Sequence, residues 1–299
     1  MTKIRVPATT ANLGPGFDTL GLALNLFQEI TIEPLDSGHK EVKWSGEPLL
    51  ADEENLVIVA LEKALHLKNQ AHLGYALTMQ HTDIPISRGL GSSAAAIVAG
   101  IYAANVLMDG ILTQQEIIDL ATSMEGHPDN VAPAILGNLI LATQQDGTTH
   151  YVKIDFPDDL RLLTLIPDYK LSTEMARRSL PEQYPRSACI HNLSRVGFLL
   201  HALITRDYTH LPLALSDVIH EPYRYPLVED SEPVKNALAH INTYGYFISG
   251  AGPTIIALIH RGESLDTLVK HLNTEAFKHH WTAAVLDVNQ SGAVYEILK

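Results

Sequence analysis

The residues best suited to chemistry stand together in Pro85-Ile86-Ser87-Arg88-Gly89-Leu90-Gly91-Ser92-Ser93-Ala94-Ala95-Ala96. Two glycines let the backbone come close to a ligand, two hydroxyls follow, and residues of high helix propensity come next. That order makes an anion site: free N–H groups at a helix N-terminus, beside the positive end of its dipole. Phosphate is the natural occupant. No Gly-Lys-Ser/Thr occurs in the chain, so this is not a Walker loop with its phosphate-holding lysine. Gly89 to Ala94 formally matches a dinucleotide fingerprint, but Pro85 to Arg88 intervene where a Rossmann turn has its first glycine at the end of a strand.

A second polar group is Glu125-Gly126-His127-Pro128-Asp129-Asn130, where Gly and Pro stop a helix. Glu125 closes that helix with a charge that opposes the dipole, which points to a partner such as a hard cation. Mg²⁺ prefers one or two carboxylate oxygens with nucleotide phosphates and a loop hydroxyl; the competing reading is a solvated carboxylate. Asn12 and Asp18 are polar side chains in the Gly- and Pro-rich stretch Pro7 to Asp18, which is either a binding loop or a plain connection. Gly250-Ala251-Gly252-Pro253 is either a hairpin loop or another close backbone approach to a ligand. The 15 histidines lie on polar stretches without cysteine partners, which favours solvated surface residues over a metal centre.

The elements that must position these groups follow from pattern. Ile4-Arg5-Val6 predicts a strand leading into a loop from Pro7 to Asp18. Leu22 to Glu33 predicts a strand joined by the turn Asp36-Ser37-Gly38 to Glu41–Trp44 as a hairpin. Asn55 to Leu67 has helical spacing, with Asp52-Glu53-Glu54 at its start, and Tyr75 to His81 is a strand delivered into the glycine-serine loop. After the central helix, Thr113-Gln114-Gln115-Glu116 is a capping box, and Leu136 to Ala142 reads as a buried strand. From about Asp155 the pattern becomes that of a second unit. It has a strand over 161–167, helical stretches over 173–180, 187–205 and 211–217, and a structured loop from His220 to Pro226. A helix over 232–241, two strands around Gly250 to Pro253, a helix over 265–277 and two closing strands complete it. Mixed elements with hairpin signals argue for an α+β fold with two units, 1–155 and 156–299.

Composition bounds the rest. A net charge of -13 and no Lys/Arg run longer than Arg177-Arg178 argue against a nucleic-acid partner. One cysteine, Cys189, excludes an intramolecular disulfide. No secretory pattern opens the chain, and the uncharged run from Gly89 to Met108 contains Ser92, Ser93 and Asn105, so a buried helix fits better than a membrane span. The expectation is a cytoplasmic protein with a small-molecule ligand and no membrane partner.

Pro85 to Ala95, Glu125 to Asn130 and Ser249 to Ile255 together resemble the kinase superfamily named for galactokinase, homoserine kinase, mevalonate kinase and phosphomevalonate kinase. Val6 to Asp18, His127 to Pro133 and His220-Glu221-Pro222-Tyr223-Arg224 resemble its homoserine kinase branch. The resemblance implies phosphorylation of the side-chain hydroxyl of L-homoserine by ATP, a step of threonine biosynthesis. It also implies an N-terminal α+β domain carrying the phosphate loop, a ferredoxin-like C-terminal domain and a homodimer. By matching position, ATP meets Asn55 and Pro85 to Ala95, and Glu125 and Ser93 hold Mg²⁺. The substrate carboxylate meets Arg224 and Arg177, or Arg178 if that helix is rotated. The ammonium and hydroxyl meet Asp18, Asn12 and Asn130, with Gly252 beside them. Asp129 stands near the position where sugar and mevalonate kinases carry a base, so Glu125, Asp129 and Asn130 are the catalytic candidates. The alternatives are another small-molecule kinase of the superfamily, a nucleotide-binding sensor without turnover, and an NAD-dependent oxidoreductase.

Overall fold

The computed structural model describes residues 1–45, 55–272 and 277–298. The chain opens with two long antiparallel strands, β1 (Thr2–Asn12) and β2 (Gly16–Leu35), joined by a turn of only three residues. Pro7 to Asn12 is therefore strand, not loop. The register shifts between Pro7 and Ala8 and between Ala11 and Asn12, and such irregularities accommodate a proline that has no N–H to donate.

The expected hairpin between β2 and β3 (Lys40–Trp44) does not form. β4 (Gly74–Thr82) lies between them, antiparallel to β2 and parallel to β3. Burial explains the order: Tyr75, Leu77 and Met79 of β4 are buried, whereas no residue of β3 is fully so, and the more apolar strand takes the interior place. β5 (Leu139–Gln145) pairs with the first part of β2, and β6 (Thr148–Ile154) pairs with β5.

Four helices cover this sheet: α1 (Leu56–Leu67), α2 (Ser92–Leu107), α3 (Gln114–Glu125) and α4 (Pro128–Leu136). α2 carries no charge and packs against β1, β2 and α1. A Cβ at Gly100 would stand 2.1 Å from the Val57 carbonyl oxygen, so this glycine allows α1 and α2 to touch backbone to side. The capping box of Thr113 and Glu116 is formed. α4 had been hidden by its prolines: Pro128 occupies the first turn, where its missing N–H is harmless. Leu136 ends that helix instead of beginning the next strand. The acidic run Asp52-Glu53-Glu54 lies outside the described residues, as does part of the last helical stretch.

The second sheet is antiparallel throughout, in the order β10 (Trp281–Leu286), β7 (Leu160–Pro167), β9 (Ile255–His260), β8 (Gly245–Ile248). α5 (Thr173–Arg178), α6 (Arg186–Thr205), α7 (Leu211–Ala214), α8 (Glu221–Arg224), α9 (Ser231–Leu238) and α10 (Asp266–Leu272) accompany it. The His220–Pro226 segment is thus a turn of α-helix running into a 3-10 turn. β11 (Val294–Ile297) leaves this unit and pairs with β1, so the seven-stranded sheet takes strands from both ends of the chain.

Candidate active site

Gly91, at φ 67°, ends the glycine-serine loop at the N-terminus of α2, and no side chain caps that helix. The first-turn amides beside Ser92 and Ser93 thus have no side-chain acceptor, as an anion site requires. The loop itself is pinned from behind. A Cβ at Gly89 would stand 2.2 Å from the Ser249 carbonyl oxygen, and Ser249 Oγ donates to Gly89 O at 2.5 Å. A Cβ at Gly91 would stand 2.0 Å from Thr9 Oγ1. Arg88 is spent on three carbonyls: Nε on Pro167 (3.0 Å), and its terminal nitrogens on Ile86 (2.8 Å) and Asp168 (2.7 Å). Its guanidinium braces the loop against the end of β7 and does not face the cleft. Leu90, Ala94 and Ala95 are buried in the core.

Two cavities meet at this loop. One, about 230 Å³, has apolar walls from Trp44, Leu56, Val57, Met79, Ile84 and Ile86, and Asn55 beside them. Asn55 also caps α1, its Oδ1 accepting from Val57 N at 2.9 Å. The other, about 130 Å³, is polar and is lined by Glu125, His127, Asp129, Asn130, Thr173 and Arg224 together with the backbone around Gly250. Ser87, Ser92 and Ser93 line both. A flat apolar slot that opens through hydroxyls and helix-end amides onto a pocket of carboxylates and arginine fits a nucleotide and an acceptor end to end.

In the polar pocket Ser93 Oγ donates to Glu125 Oε2 at 2.8 Å. Burial raises the Glu125 carboxyl above its ordinary value, against the opposing pull of the Ser93 bond and His127. A carboxylate and a hydroxyl at this distance are the hard oxygen donors that Mg²⁺ takes, so these residues fit the ion. His127 Nδ1 and Asp129 Oδ1 are 2.5 Å apart. Burial alone would lower the imidazole, but the Asp129 bond and charge outweigh it and the net shift is upward. Asn130 Nδ2 donates to the same Asp129 oxygen at 3.2 Å, and Asn130 Oδ1 accepts from Thr9 Oγ1 at 2.8 Å. Asp18, His127 and Asp129 place one ligand atom each within 4.8 Å of one another.

Above this cluster Arg177 forks onto Asp18 at 3.0 Å through both terminal nitrogens. Arg178 instead points outward to Glu174, one turn earlier on α5. Asn12 links the site's two halves: its Nδ2 donates to Gly250 O (3.0 Å), and its Oδ1 accepts from Asp18 N (3.1 Å). Arg224 is buried and donates to the same Gly250 carbonyl at 2.8 Å. Its Nε has no partner among the described residues, and burial lowers its pKa. Gly252 is turned away, with the Cβ direction facing Ile248, Val228 and Leu171.

Several residues in or around the site escaped the sequence reading. Thr9 matters through Gly91 and Asn130, which are far from it in sequence. Thr173 follows the helix-capping Ser172, and that Ser-Thr pair before a helix was the available signal. Phe17, under the Arg224 guanidinium at 5.1 Å and stacked on His220 at 5.3 Å, was hidden by its apolar type.

Comparison with known proteins places this architecture. Residues 55–138 match the GHMP kinases N terminal domain, and residues 199–279 match the GHMP kinases C terminal domain. The chain is 38% identical to a homoserine kinase of Clostridium novyi (strain NT), covering 100% of this chain and 99% of that protein. It is 40% identical to a homoserine kinase of Petrotoga mobilis, over 98% of this chain and 95% of the other. The crystal structure of homoserine kinase from Cytophaga hutchinsonii superimposes with a TM-score of 0.85 at 29% identity, covering 99% of this chain and 97% of that one. With identity at this level over nearly the whole of both chains, the chain belongs to the homoserine kinase family of the GHMP kinases.

Proposed function

We propose that this chain transfers the γ-phosphoryl group of ATP to the side-chain hydroxyl of L-homoserine, giving O-phospho-L-homoserine and ADP, as a cytoplasmic, homodimeric enzyme of threonine biosynthesis. The observation that carries the reading is the shared wall of Ser87, Ser92 and Ser93 between an apolar cavity and a pocket holding Arg224, Asp129 and Asn130. The base and ribose occupy the Asn55 side, and the triphosphate lies across Gly89 to Ser93. The domains divide at about residue 155, with the last strand crossing back to the first sheet.

Glu125 and Ser93 would hold Mg²⁺, which supplies charge neutralisation at the phosphates when bound. The substrate carboxylate is held by Arg224 and Arg177, and its ammonium by Asp18 with Asn12. Asn130 orients the hydroxyl. The hydroxyl oxygen forms the new bond to phosphorus as the bond from phosphorus to the β,γ-bridging oxygen breaks. The hydroxyl proton passes late to Asp129, which His127 and Asn130 hold in place. A loose transition state asks little of a base, so most of the acceleration comes from alignment and charge.

A coupled ADP-release assay over homoserine, 3-aminopropanol, mevalonate and galactose tests the reading. Turnover with homoserine alone is expected. Equal turnover of 3-aminopropanol, which lacks the carboxylate, would remove the arginines from substrate binding, and absence of ADP release would leave a nucleotide-binding sensor.

A further inference from the structure

The proposed chemistry makes no use of His220, a titratable ring with no exposed surface. It stands at the N-cap of α8 but its side chain does not cap that helix. Asp217 does so instead, Oδ2 accepting from His220 N at 2.8 Å and from Glu221 N at 2.7 Å, while Oδ1 accepts from Asn192 Nδ2 at 2.6 Å. The imidazole is thus free to reach across the molecule. One of its nitrogens meets the turn between β1 and β2, and the other meets Arg224, which shares its face of α8 one turn on.

These contacts decide its protonation. Nε2 lies 2.8 Å from Gly14 O, and Asp217 Oδ2 is 3.8 Å from the same nitrogen. Carbonyl and carboxylate oxygens accept, so Nε2 carries a hydrogen. Nδ1 lies 3.4 Å from Arg224 Nη1. A guanidinium only donates, so Nδ1 must offer a lone pair. The neutral Nε2–H tautomer meets both demands, and a second proton would set an N–H against a guanidinium. Burial accordingly drives the imidazole well below its ordinary value, helped by the Arg224 charge and opposed by Asp217, the Gly14 bond and Asp18.

For Arg224 the ring is the second of two acceptors on one nitrogen. Of the two hydrogens on Nη1, one goes to Gly250 O at 2.8 Å and the other to His220 Nδ1. Two bonds at one end fix the plane of the guanidinium, and Phe17 packs against both it and the imidazole. The turn that orients His220 is itself held. Asn192 Nδ2 donates to Pro15 O at 3.0 Å, and a Cβ on Gly14, at φ 77°, would stand 2.4 Å from Leu215 O. A continuous chain of bonds therefore runs from the first hairpin through His220 and Arg224 to the Gly250 loop.

We propose that His220 is a positioning residue, whose ring is oriented by Gly14, accepts from Arg224 and sets the plane in which the guanidinium meets the substrate carboxylate. This role rests on the carboxylate-binding assignment of Arg224 made above.

Two substitutions divide the ring's contacts. In His220→Gln the amide nitrogen can reach the Nε2 position and keep Gly14, with nothing left at Nδ1. In His220→Asn the amide oxygen takes the Nδ1 position and keeps Arg224, but Gly14 is lost. At saturating ATP, His220→Gln should raise the homoserine KM about three- to tenfold, as for a lost neutral hydrogen bond, with kcat and the ATP KM changed less than about twofold. His220→Asn should hold the homoserine KM within about twofold of wild type, although it is the smaller residue and leaves the larger gap. A ring that served packing alone would give the reverse order. Equal effects, a KM rise in His220→Asn alone, or a fall in kcat with KM unchanged would each overturn the proposal. Arg224→Lys separates this from the assignment beneath it. A raised homoserine KM there, with none in His220→Gln, removes His220 only. An unchanged KM there, or wild-type turnover of 3-aminopropanol equal to that of homoserine, removes both. Should neither variant fold, ¹⁵N NMR of the full chain with labelled histidine still decides. Among the 15 histidines at least one ring should stay neutral in the Nε2–H form down to about pH 5.5, and finding none in that state would overturn the proposal.

Discussion

Arg177 and Asp18 face each other as a two-pronged pair, each terminal nitrogen 3.0 Å from a carboxylate oxygen, although 159 residues separate them. The two charges that would read a zwitterionic amino acid thus hold one another in place within its proposed binding site. Substrate entering there exchanges one set of ion pairs for another, so the positions are set before binding and the charges are never left unpaired. Arg177→Lys keeps the charge and loses the fork. The homoserine KM should rise about tenfold to a hundredfold, as expected for a lost charge-assisted bond. Arg178→Lys, on the outward face of α5, should change it less than about twofold. Steady-state kinetics at saturating ATP distinguishes them, and the opposite ranking would hand the role to Arg178.

Glu125→Gln should lower turnover by at least about a hundredfold while the thermal midpoint stays within a few degrees, because the amide keeps the Ser93 contact but not the charge. Burial holds the wild-type carboxyl above its ordinary value. Protonation of the metal-free carboxyl therefore sets in at higher pH than for a free carboxylate, so protons should compete with the ion and the Mg²⁺ concentration for half-maximal activity should rise on the acid side. A variant with wild-type turnover at limiting Mg²⁺ would dismiss the metal role.

Gly91 and Gly126 both have positive φ, but only Gly91 is crowded. Gly126→Ala should cost about 1–2 kcal/mol from backbone strain alone. Gly91→Ala must in addition displace Thr9 from Asn130, so its cost should be larger and its kcat lower. Urea unfolding with parallel assays reads both. Equal costs would mean that Thr9 moves aside freely.

Glu221 lies on α8 beside Arg224, and its Oε1 accepts from Ile248 N at 2.7 Å. Burial pushes its carboxyl up to about 8 from 4.5, the backbone bond opposing. The folded chain thus binds this proton more tightly than the unfolded one. The associated stability is complete below the ordinary value and is lost as pH rises through 8. Wild-type unfolding free energy should decline between pH 5 and pH 9 from this source, and Glu221→Gln, which has no proton to lose and can still accept from Ile248, should remove that part of the decline.

What the sequence disclosed was mostly local. The loop from Gly89 to Ser93 and the Thr113–Glu116 cap each depend on residues within a few positions of one another, and both are recognisable from type and spacing. Arg88 could not be placed, because the carbonyls that consume it are at Ile86 and, some eighty residues away, at Pro167 and Asp168. The choice of Arg177 over Arg178 likewise needed the rotation of α5, which is set by packing. β3 was assigned the nearest strand as partner, whereas the true arrangement was decided by which strand had more apolar surface to bury. Pro128 read as the end of a helix when it was the beginning of the next.

The pairing of β11 with β1 bears on how the molecule is made. A ribosome that has released residues 1–155 has produced six of the seven strands of the large sheet, and at ordinary synthesis rates these emerge seconds before the remainder. During that interval β1 presents an unpaired edge, with alternate residues such as Ile4 and Val6 belonging to the core. Among the described residues the sheet is closed on that side by residues 294–297, which arrive late in synthesis. The nascent chain therefore carries an open strand template through most of its synthesis, and the vulnerable period for misassembly belongs to the first strand made, not to the last.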